Sequence, residues 1–247
     1  MKTIAIVAQK GGTGKTTTSA ALCAGLTRAG KRALAIDLDA QCNLSFIMRA
    51  DTKHITIKQV LEGTAPAAQA IQQTPAGAIV AASPLLSIAN IPMTANARLR
   101  AALEAVAGMY DYCVIDCPPS LGVLTINALT AADFVIVPTM PDALSLQGVT
   151  ALMQTVETVK AKGNPSLQVM GLLLTRYSSR ALINRAGERQ AEATAARNGT
   201  KVFKSRIREC VAIREAQTMQ TDIFTYAPKS AASTDFSALI EEIEGEC

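Results

Sequence analysis

A glycine-rich segment near the start of the chain constrains the fold more than any other feature. It follows the apolar run 4–8, leads into an alanine-rich stretch with helical character, and reads Lys10-Gly11-Gly12-Thr13-Gly14-Lys15-Thr16-Thr17. Glycines let backbone N–H groups converge on an anion, and the N-terminus of the following helix adds positive potential. A strand, a glycine turn and a helix in this order predict a phosphate-binding site.

The end of this segment matches the phosphate-loop pattern G-x-x-x-x-G-K-[ST]. In that pattern the lysine contacts the β- and γ-phosphates of a nucleotide, and the following hydroxyl binds Mg²⁺. Gly14, Lys15 and Thr16 supply these positions, whereas Gln9 stands where the pattern has its first glycine. We therefore expect Gly11 to Thr17 to hold phosphate, with Thr16 as a metal ligand.

The composition favours a sheet that is covered on both faces. Hydrophobic residues make up 49% of the 247 positions but aromatic residues only 4%, so alanine, valine, isoleucine and leucine must form the core. Apolar strands alternate with helical segments, which is typical of βαβ units and a doubly wound, mostly parallel α/β sheet. The predicted strands are 4–8, 33–36, 78–81, 112–116, 134–137, 167–174 and 201–203. A helix of about four turns is predicted after the phosphate loop, running to Gly30. The other predicted helices are 57–61, 67–72, 96–106, 143–162, 181–197 and 236–243.

Acidic residues stand at the ends of two of the predicted strands. Asp116 ends an apolar strand, as the metal-binding aspartate of phosphate-loop enzymes does, and Asp37 and Asp39 end another. Ligands of doubly wound sheets bind at the carboxyl ends of the strands, so these side chains are expected near the phosphate site. The alternative is that they only cap helices or face solvent.

Several motifs in the chain resemble the ParA/MinD family of ATPases, whose deviant phosphate loop carries a second lysine. Lys10 and Lys15 match the two lysines. The segment 37–45 resembles the family's D-x-D-P-Q-G-N, with Ala40 for proline and Cys42 for glycine, and 115–122 matches I-D-x-P-P-S-L-G. The segments 142–148 and 213–216 resemble two later family motifs, so the resemblance spans nearly the whole chain.

The resemblance implies roles for individual residues and a phosphate-loop NTPase fold. ATP and Mg²⁺ are the implied cofactors, with Lys10 reaching the nucleotide of the second subunit of a dimer. Asp39 is implied to position the hydrolytic water, and Asp37 to lie near the metal's outer shell. The expected catalytic residues are Lys10, Lys15 and Asp39; the cofactor-binding residues are Lys10, Gly11, Gly12, Thr13, Gly14, Lys15, Thr16 and Thr17; the metal-binding residues are Thr16, Asp37 and Asp116.

Positive charge is concentrated in one part of the chain. The net charge is +4, but residues 176–214 hold ten basic and three acidic residues, while the remainder is slightly acidic. Such a stretch predicts a polyanion-binding surface, or alternatively a solvated helix face. Arg180 resembles a DNA-contacting arginine of chromosomal relatives, whereas Ala212 stands at the second such position. The expected DNA-binding residues are Arg180, Lys204, Arg206 and Arg208.

Other sequence features bear on which branch of the family this chain resembles and on the state of its cysteines and histidine. The acidic end of the chain, 239–247, lacks the basic amphipathic helix of MinD-like proteins, which disfavours membrane binding. The six cysteines are scattered, and we expect free thiols rather than disulfides. His54, the only histidine, is expected to be a surface residue.

The sequence thus predicts one ATPase domain over residues 1–247, without an N-terminal helix-turn-helix extension. We expect a slow Mg²⁺-dependent ATPase that partitions DNA as a ParA/Soj-type protein: a cytoplasmic, nucleoid-associated homodimer that binds DNA without sequence preference and is released by a ParB-like adaptor. A related ATPase that positions a protein cargo and a MinD-like membrane regulator are the alternatives.

Overall fold

A computed structural model describes residues 1–89, 91, 96–178 and 182–246, and for residues 88 and 182–185 only the backbone is described. Eight strands in these ranges form a single sheet in the order β3-β4-β2-β5-β1-β6-β7-β8, in which β3 is antiparallel to β4 and the other pairs are parallel. The strands are β1 (Lys2–Ile6), β2 (Ala33–Asp37), β3 (Ile71–Thr74), β4 (Gly77–Val80), β5 (Tyr112–Asp116), β6 (Phe134–Thr139), β7 (Gln168–Tyr177) and β8 (Val202–Arg208).

Helices lie between the strands and cover both faces of the sheet. None of those described is long and apolar enough to cross a lipid bilayer. The α-helices are α1 (Lys15–Arg28), α2 (Asn43–Ile47), α3 (Ile57–Glu62), α4 (Ala67–Ala70), α5 (Arg98–Glu104), α6 (Val123–Ala131), α7 (Ala143–Lys162), α8 (Leu182–Arg197), α9 (Val211–Thr218), α10 (Ile223–Tyr226) and α11 (Ala231–Glu246).

The two faces of the sheet bury separate apolar clusters. Along β2, Leu34 and Ile36 belong to the cluster that also contains residues of α3, α5, α6 and α7, whereas Ala33 and Ala35 pack with α1 and α11. Successive side chains of a strand point to opposite faces, so both sets must be apolar. This explains why the central strands read as continuous hydrophobic runs.

The architecture confirms the expected doubly wound, mostly parallel sheet, and the helix α7 has the expected bounds. Two strands differ from the expectation. The segment 67–72 was expected to be wholly helical, but its end belongs to the antiparallel edge strand β3. The strand predicted over 201–203 instead runs from Val202 to Arg208, because it pairs with the long strand β7 as far as Tyr177.

Candidate nucleotide site

The phosphate loop connects β1 to α1 at the carboxyl edge of the sheet. Gly12 and Gly14 have φ angles of 76° and 87°, in the left-handed region that residues with a Cβ atom disfavour. Gly14 is also the N-cap of α1. The left-handed turns therefore place the loop directly before the positive end of a helix of 14 residues, which is where an anion is stabilised.

Thr175, near the end of β7, holds this loop against the sheet. Its hydroxyl donates to the carbonyl oxygen of Thr13 at 2.8 Å, and Thr13 is almost completely buried. The Thr13 hydroxyl in turn donates to the carbonyl oxygen of Lys10 at 3.3 Å. These bonds hold the loop against the end of β7. No sequence motif indicates this role for Thr175, because the two threonines lie 162 positions apart.

A cavity of about 430 Å³ opens beside the loop. Its lining includes phosphate-loop residues and the start of α1, together with Asp39 and Asn43. The lining also includes apolar side chains, among them Ile207, Ile213 and Phe236. A cavity lined by both anion-binding and apolar groups suits a nucleotide, which has phosphates and an apolar base.

Lys15 is the buried cation of the cavity. The residue as a whole is only 7% exposed, and its ammonium donates a hydrogen bond to the carbonyl oxygen of Lys10 at 3.5 Å. Burial lowers the pKa of Lys15, although the nearby Asp116, Cys117 and Asp39 act to raise it. A triphosphate bound in the cavity would give this ammonium an anionic partner.

Asp37 and Asp116 lie side by side at the ends of β2 and β5, as paired positions of the parallel ladder. Both are fully buried. Burial and, to a smaller extent, the Asp37 carboxylate raise the pKa of Asp116 to about 8, against the hydrogen bond from Ser19 and the charge of Lys15. Burial likewise raises the pKa of Asp37 to about 6, despite hydrogen bonds from Ser45. Two adjacent buried carboxyl groups thus need a compensating cation.

The two carboxyl groups differ in their remaining capacity to bind a metal. Asp37 accepts hydrogen bonds from the backbone N–H and hydroxyl of Ser45, at 2.8 and 2.7 Å, and from the N–H of Asp39 at 3.1 Å. Asp116 accepts one from Ser19 at 3.0 Å through Oδ1, while its buried Oδ2 has no hydrogen-bond partner in the described part of the chain. An orphaned carboxylate oxygen suits Mg²⁺, which takes oxygen ligands.

Asp39 lines the cavity. Its Oδ1 accepts a hydrogen bond from the N–H of Gln41 at 3.0 Å, which holds the carboxylate in a turn. Cys42, which follows, has a φ of 55°. This left-handed position is where the family motif has a glycine, so the cysteine is accommodated at the cost of backbone strain.

Lys10 behaves differently from Lys15. It is not among the residues that line the cavity, and its ammonium forms an ion pair with Asp142 at 3.1 Å. Asp142 also caps α7 by accepting hydrogen bonds from the N–H and the hydroxyl of Ser145. The sequence located Asp142 at the start of this helix but did not indicate its bond to Lys10.

The residues expected to bind DNA are mostly engaged with the rest of the fold. Arg180 lies outside the described residues. Arg206 forms an ion pair with Glu188 of α8 at 2.6 Å, and Arg208 forms one with Asp235 of α11 at 2.6 Å. Lys204 is exposed, and its ammonium forms no ion pair within the described ranges.

Helix α8 is anchored closely to the strand ends. The Glu188 carboxylate accepts hydrogen bonds from Arg206 and from the hydroxyl of Tyr177, the latter at 2.9 Å. These bonds hold the pKa of Glu188 below its usual range, although burial acts in the opposite direction. Beside it, Gly187 approaches the loop before α7 so closely that a Cβ atom would overlap the Pro141 carbonyl group.

The five cysteines within the described residues are free thiols, as expected. Cys210 lines the nucleotide cavity, and Cys247 lies outside the described residues. His54 is exposed, also as expected, and lies 3.7 Å from the Asp51 carboxylate.

The parallel sheet, the loop between β1 and α1 and the cavity at the strand ends define a phosphate-loop NTPase. Comparison with known proteins agrees: a protein-family model described as an AAA domain matches residues 1–169. The chromosome partitioning protein ParA of Caulobacter vibrioides is 38% identical over 98% of this chain and 94% of its own length. The sporulation initiation inhibitor protein Soj of Bacillus subtilis is 37% identical over 98% of both chains. The chain therefore belongs to the ParA/Soj family of partition ATPases.

Solved structures show the same fold with nucleotide bound. The cobyrinic acid a,c-diamide synthase of Mycobacterium smegmatis, crystallised with an ATP analog and magnesium, is 31% identical with a TM-score of 0.85, covering 98% of this chain and 93% of that one. The septum site-determining protein MinD of Pyrococcus horikoshii, complexed with Mg-ADP, is 28% identical with a TM-score of 0.81, covering 98% and 96%.

Proposed function

We propose that this protein is a Mg²⁺-dependent ATPase that partitions DNA. Two copies enclose ATP at their interface, the dimer binds DNA without sequence preference, and a ParB-like centromere-binding partner stimulates hydrolysis and release. The position of Lys10 is the observation that carries the proposal. Lys10 is not among the residues that line its own nucleotide cavity and its side chain is 34% exposed, so its ammonium is available to the phosphates of a second copy once Asp142 releases it.

The cavity residues support ATP hydrolysis. The N–H groups of the phosphate loop and the Lys15 ammonium would neutralise the β- and γ-phosphates. Thr16 and Asp116 would hold Mg²⁺ directly, and Asp37, whose oxygens already accept hydrogen bonds, would stabilise the metal's water shell. When bound, the ion would offset charge on the phosphate oxygens. Asp39 would orient the attacking water, since its carboxylate borders the cavity and is held by Gln41.

Lys204 supports DNA binding more directly than its neighbours. Along β8, the alternation of side chains places Lys204, Arg206 and Arg208 opposite the buried Phe203 and Ile207. Arg206 and Arg208 are committed to carboxylates, whereas the Lys204 ammonium is exposed. A contact with a DNA phosphate would therefore not require Lys204 to leave an ion pair.

Fluorescence anisotropy of a labelled duplex over a series of salt concentrations tests the proposal. Binding should require ATP or a slowly hydrolysed analogue, should tolerate any sequence, and should weaken with salt by a slope of about −0.9 per phosphate contact. Lys204→Ala should flatten the slope by roughly two contacts per dimer, while Lys162→Ala, an exposed lysine at the end of α7, should not.

The same assay, together with vesicle sedimentation, distinguishes DNA partition from the two alternative functions. Equal binding with ADP, or binding that is independent of salt, would contradict a nucleotide-switched DNA surface and favour the positioning of a protein cargo. ATP-dependent sedimentation with vesicles of anionic phospholipid, in the absence of DNA binding, would favour a membrane regulator.

A further inference from the structure

The C-terminal ends of α2 and α9 meet at a contact that has no role in the site described above. The guanidinium of Arg49 donates to the carbonyl oxygens of Gln220 and Met219, at 2.8 and 3.1 Å. In return, the side-chain amide of Gln220 donates to the carbonyl oxygen of Phe46 at 2.9 Å. Each helix thus ends on carbonyl groups that a side chain from the end of the other helix satisfies. We call this pair, Arg49 and Gln220, the α2–α9 clamp.

The two clamp residues occupy the same position at the ends of their helices. Each follows the C-cap residue and has a left-handed φ angle, 56° for Arg49 and 50° for Gln220. Glycine is the usual residue at this position, because a residue without a Cβ atom takes the left-handed conformation freely. Ending the helices therefore does not explain why these side chains are present, whereas the contact between them does.

Both clamped helices also border the nucleotide cavity. Asn43, the first residue of α2, and Gln217 of α9 are among the residues that line it. Leu44 and Met48 of α2 are buried in the apolar cluster that also includes Ala216 of α9. The clamp and this packing together join two parts of the cavity lining.

A series of hydrogen bonds leads from the clamp to Asp39. The carbonyl oxygen of Phe46 accepts the bond from Gln220, and the N–H of Phe46 donates to the carbonyl oxygen of Cys42 at 2.9 Å. The N–H of Cys42 in turn donates to the carbonyl oxygen of Asp39 at 2.8 Å. Because α2 has only five residues, fixing its C-terminal end also fixes the turn that precedes it.

We propose that Arg49 and Gln220 are positioning residues that fix Asp39 relative to the nucleotide by tying α2 to α9. The inference rests on the proposed role of Asp39 in orienting the attacking water. A misplacement of about 1 Å in a reacting geometry slows a reaction by up to about a hundredfold. The phosphate loop and Lys15 do not take part in the clamp, so the clamp acts on hydrolysis and not on nucleotide binding.

Glycine substitutions remove the clamp with little risk to the fold, because glycine takes the left-handed conformation at both positions without strain. Hydrogen exchange of the nucleotide-free protein, followed by NMR, reports on the turn itself. In Arg49→Gly, and separately in Gln220→Gly, the N–H groups of Cys42 and Phe46 should exchange about tenfold faster than in the wild type. Unchanged exchange in both variants would overturn the proposal, whatever reaction the protein performs.

Hydrolysis and binding are measured on the same variants. ATP turnover in Arg49→Gly and Gln220→Gly should fall about tenfold, while the Kd for Mg-ATP from isothermal titration calorimetry stays as in the wild type. Arg28→Ala, which changes an exposed arginine in the last turn of α1, should alter neither exchange nor turnover. Equal losses of affinity and turnover, or wild-type turnover in both clamp variants, would overturn the proposal.

The route through Asp39 has its own test. Because the clamp acts through Asp39, Arg49→Gly should cause no further loss of turnover in an Asp39→Ala background. Losses that multiply would mean that the clamp affects the site by another route, and the assignment would be wrong. A wild type without ATPase activity would overturn the proposed function and the catalytic part of this inference, whereas the exchange result still decides whether the clamp holds the turn.

Discussion

The ammonium of Lys10 lies 3.1 and 3.4 Å from the two carboxylate oxygens of Asp142, although 132 positions separate the residues in the sequence. This bond holds Lys10 at the N-cap residue of α7. The ammonium must leave Asp142 before it can reach the nucleotide of another copy.

The first prediction follows from this bond. Asp142→Asn should favour ATP-dependent dimerisation, because it removes the charge that retains Lys10, and asparagine caps a helix about as well as aspartate. Lys10→Ala should lose dimerisation while the monomer still binds ATP. Light scattering with a slowly hydrolysed ATP analogue measures both. Wild-type dimerisation of Lys10→Ala would show that the lysine has no role between subunits.

Lys15→Ala should lose nucleotide binding. The substitution removes the only ammonium that the described residues place in the cavity, where charged hydrogen bonds to phosphate contribute about 3 kcal/mol, or a factor of roughly a hundred in affinity. Isothermal titration calorimetry with Mg-ATP measures the loss, and Lys10→Ala serves as the matched control. Undiminished affinity in Lys15→Ala would refute the assignment of the phosphate loop.

Asp39→Ala should separate binding from hydrolysis. If Asp39 orients water and does not hold the nucleotide, the variant should bind ATP and dimerise normally, while phosphate release falls about a hundredfold or more. A coupled phosphate assay and light scattering on the same sample give both quantities. Loss of ATP binding together with hydrolysis would indicate a role in holding the nucleotide or metal instead.

The anchor of α8 predicts a pH dependence. The pKa of Glu188 is lowered in the folded protein, so its bonds to Arg206 and Tyr177 stabilise the fold above the pKa of the unfolded chain, and this contribution is lost as the pH falls through the folded value. Glu188→Gln should therefore cost about 1 kcal/mol at pH 7, and the difference from wild type should shrink toward pH 4.

Thermal denaturation of both proteins between pH 4 and 8 measures this difference. Glu192→Gln, an exposed acidic residue one turn further along α8, provides the control and should show no such trend. A difference between Glu188→Gln and wild type that stays constant with pH would mean that the carboxylate charge does not contribute to the anchor.

The sequence predicted those parts of the site that arise from local chain order. The glycines before Lys15 fix the loop, and parallel strands necessarily bring Asp37 and Asp116 to the same edge of the sheet. The role of Thr175 could not be predicted, because it depends on how two strands are placed in three dimensions. The same holds for the pairing of Arg206 with Glu188. In the sequence, Arg206 is one of a series of basic residues, and only the packing of α8 against β8 shows that it serves the fold.

The close approach of Gly187 to Pro141 has a mechanical consequence. Since not even a methyl group fits between them, the helix and the loop have no clearance in which to slide past one another. The residue after Pro141 is Asp142, which holds Lys10, and the residue after Gly187 is Glu188, which ties α8 to β7 and β8. If a second subunit displaces Lys10 and Asp142, the tight contact between Pro141 and Gly187 should therefore transmit the displacement to α8.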